Sequence, residues 1–255
     1  MTDMRYLAPQ TLDEAVGAYA AAAGAARILA GGTDLLVQMR SGMVKPGLVV
    51  DIKKIPEMTT VQETADGGFK VGAAVSGAVL AEHPKFGKVW PGVLEGFNLI
   101  GSTQVQGRAS MGGNLCNGSP AADSVPALVA AGAMVTVQGP AGRRELKVED
   151  VPAGPGKTNL KPGEIVVSFT LPPRPKGSSD AYLRMIPRTE MDIAVVGVGV
   201  SLTLENGVCT AAPAACSAAC RPIDDKRGTI AYRTKVAGVL LKRTAAIAAE
   251  RAKGN

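Results

Sequence analysis

An apolar stretch, Arg27-Ile28-Leu29-Ala30, runs without a break into Gly31-Gly32 and then into a helix-forming segment. A similar device returns about 80 residues later as Ser110-Met111-Gly112-Gly113-Asn114. A strand that feeds a helix through paired glycines gathers backbone amides at the helix N-terminus, where they and the helix dipole favour a phosphate. Glycine suits the turn because a Cβ would block close approach. One such loop is as readily a tight turn without a ligand. Two in one chain, the second beside a hydroxyl and a carboxamide, point to phosphate. Asn117-Gly118-Ser119-Pro120-Ala121-Ala122-Asp123 then supplies short polar groups of the kind a polyhydroxylated chain needs, and Asp123 can accept from a hydroxyl. Neither loop continues as Gly-Lys-Ser/Thr, and the fingerprint G-x-G-x-x-G is absent, so the phosphate architecture is a different one.

The remaining composition narrows the chemistry. The 255 residues suffice for two domains or one large one. Aromatic residues make up only 4%, so the core must come from Ala, Val, Leu and Ile. The net charge of +6 is spread along the chain rather than clustered, which argues against nucleic acid. Apolar stretches near 127–137 and 193–202 fall short of the roughly 20 residues of a membrane span. The N-terminus shows no secretory pattern, and the expectation is a soluble, cytoplasmic protein. Cys209, Cys216 and Cys220 match neither a zinc nor an iron–sulfur spacing, and His83 is the single histidine. A metal site is not expected, and redox chemistry would need an organic cofactor.

Thr11-Leu12-Asp13-Glu14 reads as a capping box that opens an alanine-rich helix ending at Gly24. A strand at 27–30, a helix at 34–40 capped by Thr33 and a strand at 48–52 complete a small α/β unit over 1–55. A second unit, 56–175, carries strands at 60–62 and 69–72 around Asp66-Gly67-Gly68, then helices at 76–82 and 89–98. A helix opened by Asp123 or Ser124, strands at 134–138 and 143–146, a Pro/Gly loop at 151–161 and a β-rich run at 164–171 follow. Residues 174–180 read as a linker. In 178–255, strands at 193–205 and after Val208 meet at Asn206-Gly207, a hairpin signal, and a basic helix spans about 230–253.

Three segments together, Leu29-Ala30-Gly31-Gly32-Thr33-Asp34-Leu35, Ile100-Gly101-Ser102-Thr103-Gln104-Val105 and Ser110-Met111-Gly112-Gly113-Asn114-Leu115, resemble the FAD-binding medium subunit of the molybdenum hydroxylases. That family includes the flavoprotein of aerobic carbon monoxide dehydrogenase and the FAD domain of xanthine dehydrogenase. The resemblance covers essentially the whole chain. It implies an α+β protein: a two-subdomain FAD-binding fold of para-cresol methylhydroxylase type, followed by a small α+β C-terminal domain. It further implies that residues 31–35 and 110–114 hold the pyrophosphate, with Leu29, Ala30 and Gln104 in the same motifs. Asp123 would contact the cofactor's polar chain and Ile165 would lie near the flavin. Tyr182-x-Arg184-x-x-x-Arg188-x-x-x-Asp192 is similar to a pattern that usually has Lys where Arg184 stands, and a planar guanidinium is not a point charge. A surface strand with paired charges gives the same pattern. Ser76 stands where the family commonly has Thr. After Val208-Cys209 the chain passes almost at once to Cys220-Arg221-Pro222-Ile223-Asp224-Asp225, which resembles the family's closing motif, so the C-terminal domain is some tens of residues short around 211–219.

In such enzymes a molybdenum centre oxidises the substrate and two 2Fe-2S clusters relay electrons to FAD. The resemblance therefore implies an electron-transfer subunit. FAD would sit on this chain, the clusters on an iron–sulfur small subunit and the molybdenum cofactor on a molybdopterin-binding large subunit, in a dimer of heterotrimers. No catalytic acid, base or nucleophile is assigned, and His83 beside Pro84 reads as an exposed loop histidine. Two other readings stay open. A stand-alone flavin reductase of the same fold, of the enolpyruvyl-UDP-N-acetylglucosamine reductase class, would need its own proton donor. A non-catalytic nucleotide- or anion-binding module would be colourless.

Overall fold

The run Leu48-Val49-Val50-Asp51 is buried at every position, the pattern of a strand covered on both faces. A computed structural model describes residues 4–188, 191–217 and 224–255, so Cys220-Arg221-Pro222-Ile223 of the closing motif lie outside the described residues. The first unit comprises β1 (Arg5–Leu7), α1 (Leu12–Ala21), β2 (Ala26–Leu29), α2 (Leu35–Arg40) and β3 (Leu48–Asp51). Its strands are parallel in the order β1-β3-β2, which sets the carboxyl ends of β2 and β3 side by side, Leu29 opposite Asp51. Thr11 caps α1 as expected, but the Glu14 carboxylate accepts the Gln10 N–H instead of the Thr11 N–H of a capping box. Thr33 does not cap α2. Asp34 holds the N-cap position, and its carboxylate accepts from Gln38 Nε2 at 2.7 Å. Strand β1 escaped the sequence reading because three residues are too few to show a period.

A 3-10 turn at Pro56–Met58 leads into β4 (Val61–Glu63) and β5 (Phe69–Gly72), paired across the expected turn. Six short helices follow: α3 (Gly77–Glu82), α4 (Phe86–Val89), α5 (Pro91–Asn98), α6 (Thr103–Gln106), α7 (Met111–Cys116) and α8 (Ser124–Ala130). Then come β6 (Met134–Gly139), β7 (Gly142–Lys147), β8 (Pro152–Gly154), β9 (Lys157–Thr158) and β10 (Ile165–Leu171). The expected Pro/Gly loop at 151–161 thus carries the small hairpin β8–β9. Strand β10 enters the middle of an antiparallel sheet, β4-β5-β10-β6-β7, which explains why six of its seven residues are buried. One apolar core, running from Val16 and Val50 through Met58 and Phe97 to Phe169, is shared by this sheet and the first.

The C-terminal layer consists of β11 (Ser178–Met185), β12 (Val196–Glu205), β13 (Val208–Ala211), β14 (Ala214–Ser217) and α9 (Ile230–Ala252). Asn206 and Gly207 both have positive φ, 52° and 78°, as a two-residue hairpin turn requires. Strands β13 and β14 pair with opposite ends of the same edge of β12. Leu240, Ala248 and Ala252 of α9 pack on Val196, Val198 and Val200.

Two polar seams join this layer to the rest. The stretch expected to be a linker is the first of them. Arg174 lies 3.8 Å over the Trp90 ring, and its Nη2 donates to Asp180 Oδ1 at 2.6 Å. Asp180 Oδ2 in turn accepts the Val93 N–H at 3.0 Å, while Arg251 pairs with Glu95 and donates to the Asp180 carbonyl. In the second seam Tyr182 Oη donates to Asp123 Oδ1 at 2.9 Å, and Arg184 Nη1 donates to both Asp123 Oδ2 and the Leu99 carbonyl at 2.7 Å. Burial pushes the Asp123 carboxyl up to about 6, against the opposing pull of the Arg184 charge and the Tyr182 hydrogen bond.

Replacing Asp180 by Ala strands a buried guanidinium, and the expected loss is about 3–5 kcal/mol, read as a shift of the urea midpoint. A shift of less than about 1 kcal/mol would show that the pair adds little beyond packing. Asp123 makes a second prediction. Folding raises its carboxyl above the free value of about 3.9, so its stabilisation is complete below about pH 4 and is lost as the pH rises through about 6. The melting temperature of the wild type relative to Asp123→Asn should therefore fall between about pH 4 and 7. A gap that is flat, or widens with pH, would mean that Asp123 is ionised throughout.

Candidate functional site

Where β2 ends, the chain turns through Ala30 and Gly31. A Cβ on Gly31 would stand 1.9 Å from the Arg108 carbonyl oxygen and 3.1 Å from the Ala109 nitrogen. The first glycine loop thus rests directly on the backbone that enters the second, and only glycine fits there. Gly32 follows at φ +79°, the left-handed region that a side chain rarely adopts. Among the described residues, the amides of Gly31, Gly32, Thr33 and Asp34 donate to no protein acceptor. Four successive amides left without a partner call for an anion or for water.

The second loop uses its donors differently. Ser110, 2% exposed, caps α7 by accepting the Gly113 N–H at 3.2 Å. Gly112 donates to the Ala73 carbonyl at 2.9 Å, and a Cβ there would meet that oxygen at 2.7 Å. Met111 is fully buried. Two of this loop's amides are therefore committed to its own shape, and the loop serves as a wall. Asn114 Oδ1 accepts from Ser124 N and Oγ, at 3.3 and 2.6 Å, which assigns the remaining donors to Nδ2. Ser76 caps α3 and is bridged to Ser110, and the Gly77 N–H reaches the Ala109 carbonyl at 2.9 Å.

A cleft of about 270 Å³ lies beside these loops, lined among others by Lys53, Thr59, Ser76, Val79 and Arg108. Of the residues expected to hold the cofactor, Ser76 lines it; the first glycine loop meets the backbone at 108–109, and Ser76 is bridged to Ser110 at the head of the second. Gln104 is exposed on α6. Ile165 is 2% exposed within the main core. Asp123 and Arg184 lie in the second seam, paired with each other, so Arg184 is not a free cation and both oxygens of Asp123 already accept hydrogen bonds. Arg188 pairs with Asp192 at 3.0 Å. His83 is half-buried rather than an exposed loop residue. Its ring meets Phe69 edge-on and Nδ1 accepts the Phe86 N–H.

Sequence reasoning passed over two cations of the cleft. Lys53 Nζ donates to the Ala30 carbonyl at 3.0 Å and pairs with Asp51 at 2.7 Å. Arg108 Nε donates to the Gly31 carbonyl at 3.4 Å. A signal for Lys53 was present: it stands two residues beyond β3, and the carboxyl ends of parallel strands are where ligands gather.

With this geometry in hand, the comparisons with known proteins agree. The family model described as the FAD binding domain in molybdopterin dehydrogenase matches residues 2–174. The putative xanthine dehydrogenase FAD-binding subunit of Escherichia coli is 32% identical over 183 residues, 71% of this chain and 63% of that protein, so the match spans less than two thirds of that relative. The carbon monoxide dehydrogenase medium chain of Afipia carboxidovorans is 28% identical across 97% of both chains, and its 287 aligned positions exceed the 255 residues here. Some of its positions therefore have no counterpart in this chain. The structure of reconstituted CO dehydrogenase from Oligotropha carboxidovorans superposes with a TM-score of 0.91 at 26% identity, over 97% of this chain and 98% of that one. The α+β fold, the opposed glycine loops and the match over most of the chain make it a member of the family of FAD-binding domains in molybdopterin dehydrogenases.

Proposed function

We propose that this chain is the FAD-carrying electron-transfer subunit of a molybdenum-containing hydroxylase or dehydrogenase complex. The observation that carries the reading is the seat of Gly31 on the 108–109 peptide, which leaves four unpaired amides against a second glycine loop. When bound, FAD supplies the redox chemistry: it takes up electrons one at a time and passes them on in pairs, while the protein sets its position and access. The chain's own residues bind and orient. Gly31, Gly32, Thr33, Asp34 and Leu35 offer amides to the pyrophosphate, with Leu29 and Ala30 ending the strand beneath. Ser110–Asn114 close the other side, flanked by Ser76 and Gln104. Asp123 and Arg184 fix that wall from the seam, and Ile165 backs it from the core. The chain divides, on this reading, into FAD-binding subdomains at 1–55 and 56–175 and a C-terminal domain at 178–255.

The partners in this proposal are an iron–sulfur small subunit, which delivers electrons, and a molybdopterin-binding large subunit, which oxidises the substrate, assembled as a dimer of heterotrimers in the cytoplasm. No described helix is long and apolar enough to cross a membrane. A stand-alone reductase is less well supported, because among the described residues that line the cleft there is no carboxylate or histidine to protonate a substrate.

The purified chain should be yellow, with a flavin spectrum, and inert towards small substrates until its partners are added. Mass spectrometry of co-purifying proteins should find an iron–sulfur and a molybdopterin subunit, and turnover of a small substrate with NADPH by this chain alone would overturn the assignment. At the loops, Gly113→Val should lower FAD affinity about tenfold or more while the chain stays folded, since Gly113 is exposed and the nearest neighbour of its Cβ is Ser110 Oγ. Gly31→Ala should do the same by forcing the loops apart. Equal FAD content in parent and variants would sink the pyrophosphate assignment.

A further inference from the structure

Lys53 and Arg108 each hold a carbonyl of the first glycine loop, and the two carbonyls are consecutive: Ala30 O at 3.0 Å from Lys53 Nζ, Gly31 O at 3.4 Å from Arg108 Nε. In a planar trans peptide the C=O of one residue and the N–H of the next point in opposite directions. Holding the Ala30 carbonyl therefore fixes the direction of the Gly31 N–H, and holding the Gly31 carbonyl fixes that of Gly32. These are the first two of the four amides that have no protein acceptor. A cation on the carbonyl side also polarises the peptide and strengthens its N–H as a donor. Lys53 is itself set from behind, because Asp51 accepts from Lys53 Nζ at 2.7 Å and from Tyr6 Oη at 2.6 Å. Asp51 is only 7% exposed, so Lys53 is held from behind by a buried carboxylate.

We propose that Lys53 and Arg108 are positioning residues that aim and polarise the amides of Gly31 and Gly32 at the diphosphate of FAD. The proposal rests on the FAD reading above. Lys53→Met and Arg108→Met in the full chain should each raise the dissociation constant for FAD about tenfold. They should also move the phosphorus NMR resonances of the bound FAD, which a purely structural loss would leave in place. Lys53→Arg and Arg108→Lys should restore both the affinity and the resonances. Lys53→Met leaves Asp51 buried without its cation, so if it fails to fold, Arg108→Met decides, because that side chain is exposed and has no buried partner to strand. Parental affinity and an unmoved phosphorus spectrum in Arg108→Met, with FAD lost from Gly113→Val, would overturn the positioning role alone. FAD retained in Gly113→Val as well would overturn the FAD reading beneath it.

Discussion

The contact between Gly31 and the Arg108–Ala109 peptide is the constraint on which the rest of the site depends. It lets two segments nearly eighty residues apart lie closer than any side chain would allow. Parallel pairing of β2 with β3 delivers Gly31 to that point and sets Lys53 beside it, while the bridge from Ser76 to Ser110 brings α3 against the second loop. The fit cannot be relaxed by side-chain repacking, because the atoms a Cβ on Gly31 would meet are backbone and have no rotamers with which to adapt.

The two loops look alike and act differently. The first keeps its amides free; the second ties Gly112 to Ala73 and Gly113 to Ser110 and becomes a fixed surface. In the donor loop it is the carbonyls of Ala30 and Gly31 that are tied, to Lys53 and Arg108. The C-terminal layer contributes at a distance. Tyr182 and Arg184 hold Asp123, and the neighbouring Ser124 holds Asn114 of the second loop, so strand β11 reaches the wall of the site through a short relay of hydrogen bonds.

Much of the fold was legible because it is written in local pattern. The apolar runs of β3 and β10, the turn at Asn206-Gly207 and the cap at Thr11 each announce themselves over a few residues. The glycine pairs were legible as loops for the same reason. Which amides stay free was not, since the acceptor of the Gly112 N–H is 39 positions away. Arg174 read as linker because Pro-Arg-Pro-Lys-Gly has linker composition, and its burial depends on Trp90 and Asp180, which only the fold brings to it. The pairing of Arg184 was hidden for a similar reason: its partner Asp123 comes from another layer. The family resemblance pointed to the family, but it did not carry the side-chain partners that this particular sequence has chosen.

The central place of β10 has a consequence for how the molecule comes into being. The hairpins β4–β5 and β6–β7 are local, but they become one sheet only when the last strand of the set slides between them. That strand also supplies the Val167 carbonyl that holds the Ala73 N–H, and the Ala73 carbonyl in turn holds Gly112. Early in synthesis, then, the chain carries both glycine motifs before the strand that anchors Ala73, and through it Gly112, has been made. Closure of the sheet around β10 is a long-range step, of the kind that is intrinsically slow and leaves strand edges open while it waits. The second glycine loop thus takes its final anchor from a strand made some fifty residues after it, so its shape depends on a sheet completed late in the chain.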